Sequence, residues 1–153
     1  MSIERDVIVI GGGHAGCEAA LAAARMGCRV VLLTIDPDMI AQMPCNPAVG
    51  GIGKGHLVKE IDALGGEIGY NTDKAGIQFR LLNTSKGPAV RALRVQCDKR
   101  LYRLHMQDTL RQVDCLEIIP GTATRILTQS DAIAGVITNS GQIIHAKRSE
   151  ERR

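Results

Sequence analysis

Six consecutive residues near the start of the chain, Gly11, Gly12, Gly13, His14, Ala15 and Gly16, spell G-x-G-x-x-G directly after the apolar, β-branched run DVIVI at positions 6–10. The pattern is weak by itself and gains specificity from following a strand and opening a helix. Gly11 permits a tight turn, Gly13 lets the backbone approach a pyrophosphate, and Gly16 lets the helix pack close to the strand. The helix N-terminus adds amide donors and the positive end of a dipole. These residues predict dinucleotide binding, and three glycines at this spacing disfavour a turn that serves packing alone.

The acidic residue that usually binds the ribose at the end of the second strand is replaced by Thr34, with Asp36 two positions on. Either residue is a candidate for the ribose hydroxyls. A second glycine cluster, GGIGKG at 50–55, ends in GK like a phosphate-binding loop. Gly55 stands where Ser or Thr would hold magnesium, and no strand is expected before it, so nucleoside triphosphate hydrolysis is excluded. These glycines are read instead as a backbone cradle for another flat or anionic group. Cys17, Cys28, Cys45, Cys97 and Cys115 lack the spacing of a zinc site, and their odd number argues against a full disulfide set. His14 and His56 border the glycine clusters and serve equally well as polar residues at helix starts.

A strand over 6–10, the glycine turn, a helix over 15–26 ended by Gly27 and a strand over 29–34 would together make one right-handed βαβ unit. Residues 35–55 lose periodicity among Pro37, Pro44 and Pro47 and read as a long functional loop. Leu57, Ile61 and Leu64 predict a short helix. Leu93, Cys97, Leu101 and Leu104 predict one long amphipathic helix over 90–113. Strands are expected over 116–119, 123–128, 133–138 and 142–146, with a hairpin turn at 139–141. The apolar pattern stops at Lys147, leaving 148–153 as a polar tail or a chain cut before its next strand.

With 153 residues the chain has room for one ordinary core. Its charge of +3 is compatible with an anionic partner without requiring one. No apolar run reaches membrane-spanning length, so a cytoplasmic, non-membrane protein is expected.

Taken together, the motif at 11–16, CNPAVGGIGKGHL at 45–57, EIDAL at 60–64, AGIQFR at 75–80 and NTSKGPAVR at 83–91 closely resemble the MnmG/GidA family. The resemblance runs from Asp6 to about Lys147. It implies an α/β, Rossmann-like FAD-binding domain of the glutathione-reductase type over 1–147, with a small β-layer late in the chain. It also implies a tRNA-modifying flavoenzyme that builds an aminomethyl-type group at carbon 5 of the wobble uridine, using FAD and NADH. An MnmE-type GTPase, tRNA and a homodimeric arrangement are the implied partners.

On the same resemblance Gly11, Gly12, Gly13, His14, Ala15, Gly16, Thr34, Asn46, Gly51, Lys54 and Ala123 are the cofactor-binding candidates. Cys45 is the catalytic candidate, its thiol placed to add to carbon 6 of uracil; the competing reading is a buried structural cysteine. Arg80, Lys86, Arg91 and Arg94 are candidates for cofactor phosphate or RNA backbone, against the reading of an ordinary solvated face. Members of the family are several times longer and carry a second cysteine motif, an NADH-binding insertion and a helical C-terminal domain. The chain is therefore expected to be insufficient for catalysis alone, the alternative being a truncated, inactive dinucleotide-binding fragment. A flavoprotein acting on a small molecule is disfavoured by the block at 45–57.

Overall fold

The computed structural model of the protein describes residues 2–44, 46–130 and 132–151. It contains nine strands and four helices among them, in two compact units: residues 1–40 with 109–153, and residues 41–108.

The first unit begins with β1 (Ser2–Ile10), α1 (His14–Arg25) and β2 (Val30–Thr34). Every residue of β2 is buried, as the run VVLLT requires of a central parallel strand covered on both faces. Helix α1 buries Cys17, Ala20, Leu21 and Ala24, spaced three and four apart on one stripe, while its alanines allow close approach. β1 and β2 pair in parallel from Val7↔Val30 to Ile10↔Leu33. Below that ladder the Arg29 amide and guanidinium donate to the Asp6 carboxylate at 2.9, 3.1 and 3.2 Å. This hydrogen bonding holds the Asp6 carboxyl down at about 2.

The remaining strands of this unit are β6 (Leu116–Pro120), β7 (Ala123–Gln129), β8 (Ala132–Thr138) and β9 (Ile143–Glu151). They complete a six-stranded sheet of order β6-β2-β1-β9-β8-β7. β6, β2, β1 and β9 are mutually parallel, and β7 and β8 add an antiparallel meander. The turn expected at 139–141 is present, closed by Gly141 N–H to the Thr138 carbonyl at 3.0 Å. Strand β9 continues through Glu151, beyond the Lys147 at which the apolar pattern ends, and pairs Val7↔Arg148 and Ile10↔Glu151. Polar residues can continue a strand because the ladder is made by backbone groups. Ile8, Val31, Leu33, Ile119, Val136 and Ile144 form the buried cluster on one side of the sheet.

The second unit departs furthest from the sequence reading. Its small sheet has the order β3-β5-β4, from β3 (Ala48–Gly50), β5 (Ala92–Cys97) and β4 (Gly76–Leu82). Residues 92–97 are thus a strand, where one helix over 90–113 was expected. The helix α4 (Lys99–Arg111) begins only after Asp98, whose carboxylate accepts the Leu101 N–H at 2.8 Å as an N-cap. Its buried stripe is Tyr102, Met106 and Leu110, whereas the expected Leu101 and Leu104 are exposed. The late strands join the main sheet, and the separate β-layer comes from mid-chain. α2 (Lys54–Ala63) and α3 (Ile68–Ala75) fall in the same unit, and α2 has no buried residue. Asn71 of α3 is anchored by donating to the Tyr102 carbonyl at 2.9 Å.

Gly135 in β8 has φ +153°, and a β-carbon there would lie 2.2 Å from the Ile144 carbonyl oxygen of the neighbouring strand. Replacing it with alanine would force the β8–β9 pair apart. Gly135→Ala is expected to lower unfolding free energy by about 2 kcal/mol or more in urea titration; an unchanged midpoint would mean that the pair tolerates the displacement.

Candidate functional site

The glycines at 11–16 separate into different physical roles. Gly11 has φ +105°, and its amide donates to the Leu33 carbonyl at 2.8 Å, tying the turn to the end of β2. A β-carbon on Gly12 would meet Ile40 at 2.7 Å and the Thr34 hydroxyl at 3.0 Å, so that position is filled by protein. Gly13 is the N-cap of α1 in an extended conformation, and a β-carbon on it would meet nothing within 4 Å. At Gly16 the β-carbon would fall 1.9 Å from the Gly11 carbonyl oxygen, so only glycine lets the helix approach this closely. Beneath the turn the Cys17 thiol donates to the Gly12 carbonyl at 3.6 Å.

No side chain caps α1, and no acidic residue stands in its first turn. The first amides of a helix lack intrahelical acceptors, so this end offers donors and positive partial charge to an anion. The space left open at Gly13 adjoins those donors, which is the shape needed by a pyrophosphate. His14 is half-buried, and burial pulls its pKa below the ordinary value, favouring the neutral ring at pH 7.

Thr34, read from sequence as one of two ribose candidates, is buried at the end of β2 with its hydroxyl toward Gly12, and its carbonyl accepts the Gly121 amide at 2.7 Å. Asp36 uses its carboxylate to accept the Asp38 amide at 2.9 Å, capping the 3-10 turn Pro37–Met39. Ala15 is in the first turn of α1, and Ala123 opens β7 opposite Thr138. The fold therefore gathers Gly11, Gly12, Gly13, His14, Ala15, Gly16 and Thr34 at the carboxyl ends of β1 and β2, with Gly121 beside them. Sequence reading gave Asn139 only to the hairpin, yet its side chain accepts the Thr122 amide at 3.2 Å and fixes the chain just after β6. The strand-ending Pro120-Gly121 pair was the available signal.

The other candidates belong to the second unit. Asn46 is exposed, and its carbonyl accepts the Ala48 amide at 2.7 Å. Gly51, at φ +98°, donates its amide to the Leu93 carbonyl at 2.8 Å, and Lys54 opens α2 with its side chain exposed. Cys45 lies outside the described residues. The four remaining cysteines form no disulfide with one another, and Cys17 and Cys97 are buried; burial pushes the Cys97 thiol pKa up. A cavity of about 240 Å³ lies among α2, α3 and β5, lined by Val49, Val58, Thr72 and Val95 with Asp62 and Asp73. Among the described residues there is no cluster that could hold a metal ion, and no helix is long and apolar enough to cross a membrane.

A parallel sheet with an uncapped helix after a glycine turn defines a Rossmann-like α/β protein. The model of the family described as "Glucose inhibited division protein A" matches residues 6–149, and the chain belongs to that family. It is 62% identical over 138 residues to the tRNA uridine 5-carboxymethylaminomethyl modification enzyme MnmG of Pelobacter propionicus, covering 90% of this chain and 22% of the relative. The chain thus spans about a fifth of the length of such relatives. The structure of Aquifex aeolicus GidA superposes with a TM-score of 0.93 at 49% identity, over 95% of this chain and 24% of that one. PqsL, a probable FAD-dependent monooxygenase from Pseudomonas aeruginosa, shares the fold at TM-score 0.64 and 16% identity, over 95% of this chain and 41% of its own.

The contrast between Gly13 and Gly16 is testable without ligand. Gly16→Ala should destabilise the protein by about 3 kcal/mol, because backbone must move, while Gly13→Ala should cost under about 1 kcal/mol. Equal losses in thermal melts would contradict the division of roles. Because His14 has a lowered pKa, its unfolded form binds a proton first on acidification; stability contributed by the neutral ring is therefore full above about pH 6.5 and falls below it. His14→Gln should flatten that part of the stability profile, and an unaltered slope would reject it.

Proposed function

We propose that the chain is the FAD-binding portion of a tRNA-modifying flavoenzyme that installs an aminomethyl-type group, carboxymethylaminomethyl included, at carbon 5 of the wobble uridine. The observation that carries the reading is the opening above Gly13, beside uncapped helix amides, in a chain 62% identical to an MnmG over 138 residues. FAD fits the residues present: the amides at 14–16 would receive its pyrophosphate, Gly13 would leave space for it, and Thr34 and Ala123 would adjoin its adenosine half.

Asn46, Gly51 and Lys54 are the proposed cofactor-binding residues of the second unit, the lysine offsetting negative charge. When bound, the flavin supplies hydride transfer, with NADH as the proposed reductant. Cys45 is the proposed nucleophile toward carbon 6 of uracil, on the strength of its place in the 45–57 block alone. An MnmE-type GTPase and a second copy of the family-length chain are the proposed partners, in a cytoplasmic setting. Residues 1–147 form the proposed cofactor portion, and the full reaction is assigned to the family-length protein.

Purified chain should bind FAD, with Gly13→Val abolishing binding while leaving the far-ultraviolet circular dichroism and melting temperature near those of the parent. Retention of FAD by the valine variant would refute the placement of the pyrophosphate. The isolated chain with FAD, NADH and the GTPase partner should leave tRNA unmodified by mass spectrometry; modified wobble uridine in that mixture would overturn the assignment of catalysis to a longer protein.

A further inference from the structure

The small sheet has two faces of opposite character, fixed by its register. Val49, Val95 and Phe79 are aligned across its three strands, and Leu93 pairs with Leu81, so one face is apolar. On the other face, beyond an apolar Leu82–Ala92 row, one row runs Gly50–Arg94–Arg80 and the next Ala48–Gln96–Gln78. Strand β3 therefore contributes no side chain longer than a methyl group to these rows, while β5 and β4 raise two arginines and two glutamines beside it. The result is a step: a low shelf of backbone along β3, bordered by guanidinium and amide groups.

Directly opposed arginines on paired strands have β-carbons about 5 Å apart and repel each other. Such a pair is ordinarily relieved by a carboxylate. Arg80 and Arg94 are exposed and have no ion-pair partner among the described residues. Three other arginines do have partners. Arg5 is paired with Glu117, Arg29 with Asp6, and the Arg91 guanidinium donates to the Lys86 carbonyl at 3.2 Å. No acidic residue stands in either row of the polar face. Two guanidinium forks side by side match the oxygens of a phosphodiester, which each can grip with two parallel hydrogen bonds. Glutamine amides, donor and acceptor at once, suit the edge of an unpaired base. The glycine shelf leaves room for the strand that carries both.

We infer that this face of the small sheet is a docking surface for a single RNA strand, with one backbone phosphate held between Arg80 and Arg94. The inference rests on the reading of the chain as part of an RNA-modifying enzyme and assigns the RNA contact to particular rows of one sheet. Repulsion within the arginine pair is modest in the free protein, where both side chains are exposed, and a bound phosphate relieves it.

The test uses the purified chain and a labelled anticodon stem-loop RNA, followed by fluorescence anisotropy over a salt series. Arg80→Gln/Arg94→Gln should weaken binding roughly tenfold or more at low salt and reduce the slope of log affinity against log salt by about 1 to 2. Lys99→Gln/Arg100→Gln, which removes the same charge from exposed positions on α4, should change both by less than half as much. Without RNA, Arg80→Gln should melt at or above the parental temperature, because repulsion is relieved. Equal losses in the two double variants, parental binding by Arg80→Gln/Arg94→Gln, or a melting temperature of Arg80→Gln below that of the α4 variant would each overturn the proposal. FAD binding measured on the same samples separates the two readings. A parent that binds FAD but no RNA defeats this inference and leaves the flavin assignment standing. A parent that binds RNA through the arginine pair but no FAD does the reverse, and loss of FAD together with RNA in the arginine variant assigns the pair to the cofactor and overturns the inference.

Discussion

Gly16 occupies a place where any side chain would collide with the Gly11 carbonyl, and the resulting close approach of α1 to β1 is the constraint from which the candidate site follows. It holds the helix N-terminus at the carboxyl end of the parallel strands. The Gly11 amide on Leu33, the Cys17 thiol on Gly12 and the Gly121 amide on Thr34 then brace the turn from β2, from α1 and from the end of β6. Each bond satisfies a backbone group that would otherwise be lost to solvent exchange or buried unpaired. A β-carbon at Gly13 would meet nothing within 4 Å, so on the proposed reading the anion site is organised before the ligand arrives.

The second unit uses backbone in another way. Gly50 and Gly51, at φ +85° and +98°, let the chain turn back across the Leu93 carbonyl, which accepts the Gly51 amide at 2.8 Å. Beside them Arg80 and Arg94 stand opposite each other on paired strands, both exposed. Electrostatic repulsion of this kind is modest between exposed groups in water and grows as water is excluded, so the same two side chains cost little when free and interact strongly with an enclosed phosphate.

Local sequence spoke clearly wherever one element's own periodicity decided its fate. The stripe of Cys17, Ala20, Leu21 and Ala24, the fully buried run of β2 and the hairpin at 139–141 could be read directly, as could the glycine turn. Residues 92–97 could not. Their leucine and cysteine spacing fits a helix, but pairing on both sides with β3 and β4 wins, and such pairing depends on residues far along the chain. Asp98 carried the missing cue, an N-cap that starts α4 there and so places a different stripe of side chains inside. Strand β9 was cut short in the sequence reading because polarity was taken to end it, whereas its last pairs with β1 need only backbone. Among site residues, Thr34 had a legible position but not a legible orientation: only the structure shows its hydroxyl turned in beneath Gly12.

The most direct test of the dinucleotide cradle is an amide-resolved nuclear magnetic resonance titration of the chain with ADP, the pyrophosphate-bearing half of FAD. The amides of Gly13, His14, Ala15 and Gly16 should show the largest shifts and saturate together, as donors to one anion at the start of α1. Largest shifts at the cavity lined by Val49, Thr72 and Val95, with the amides at 13–16 unmoved, would contradict the cradle.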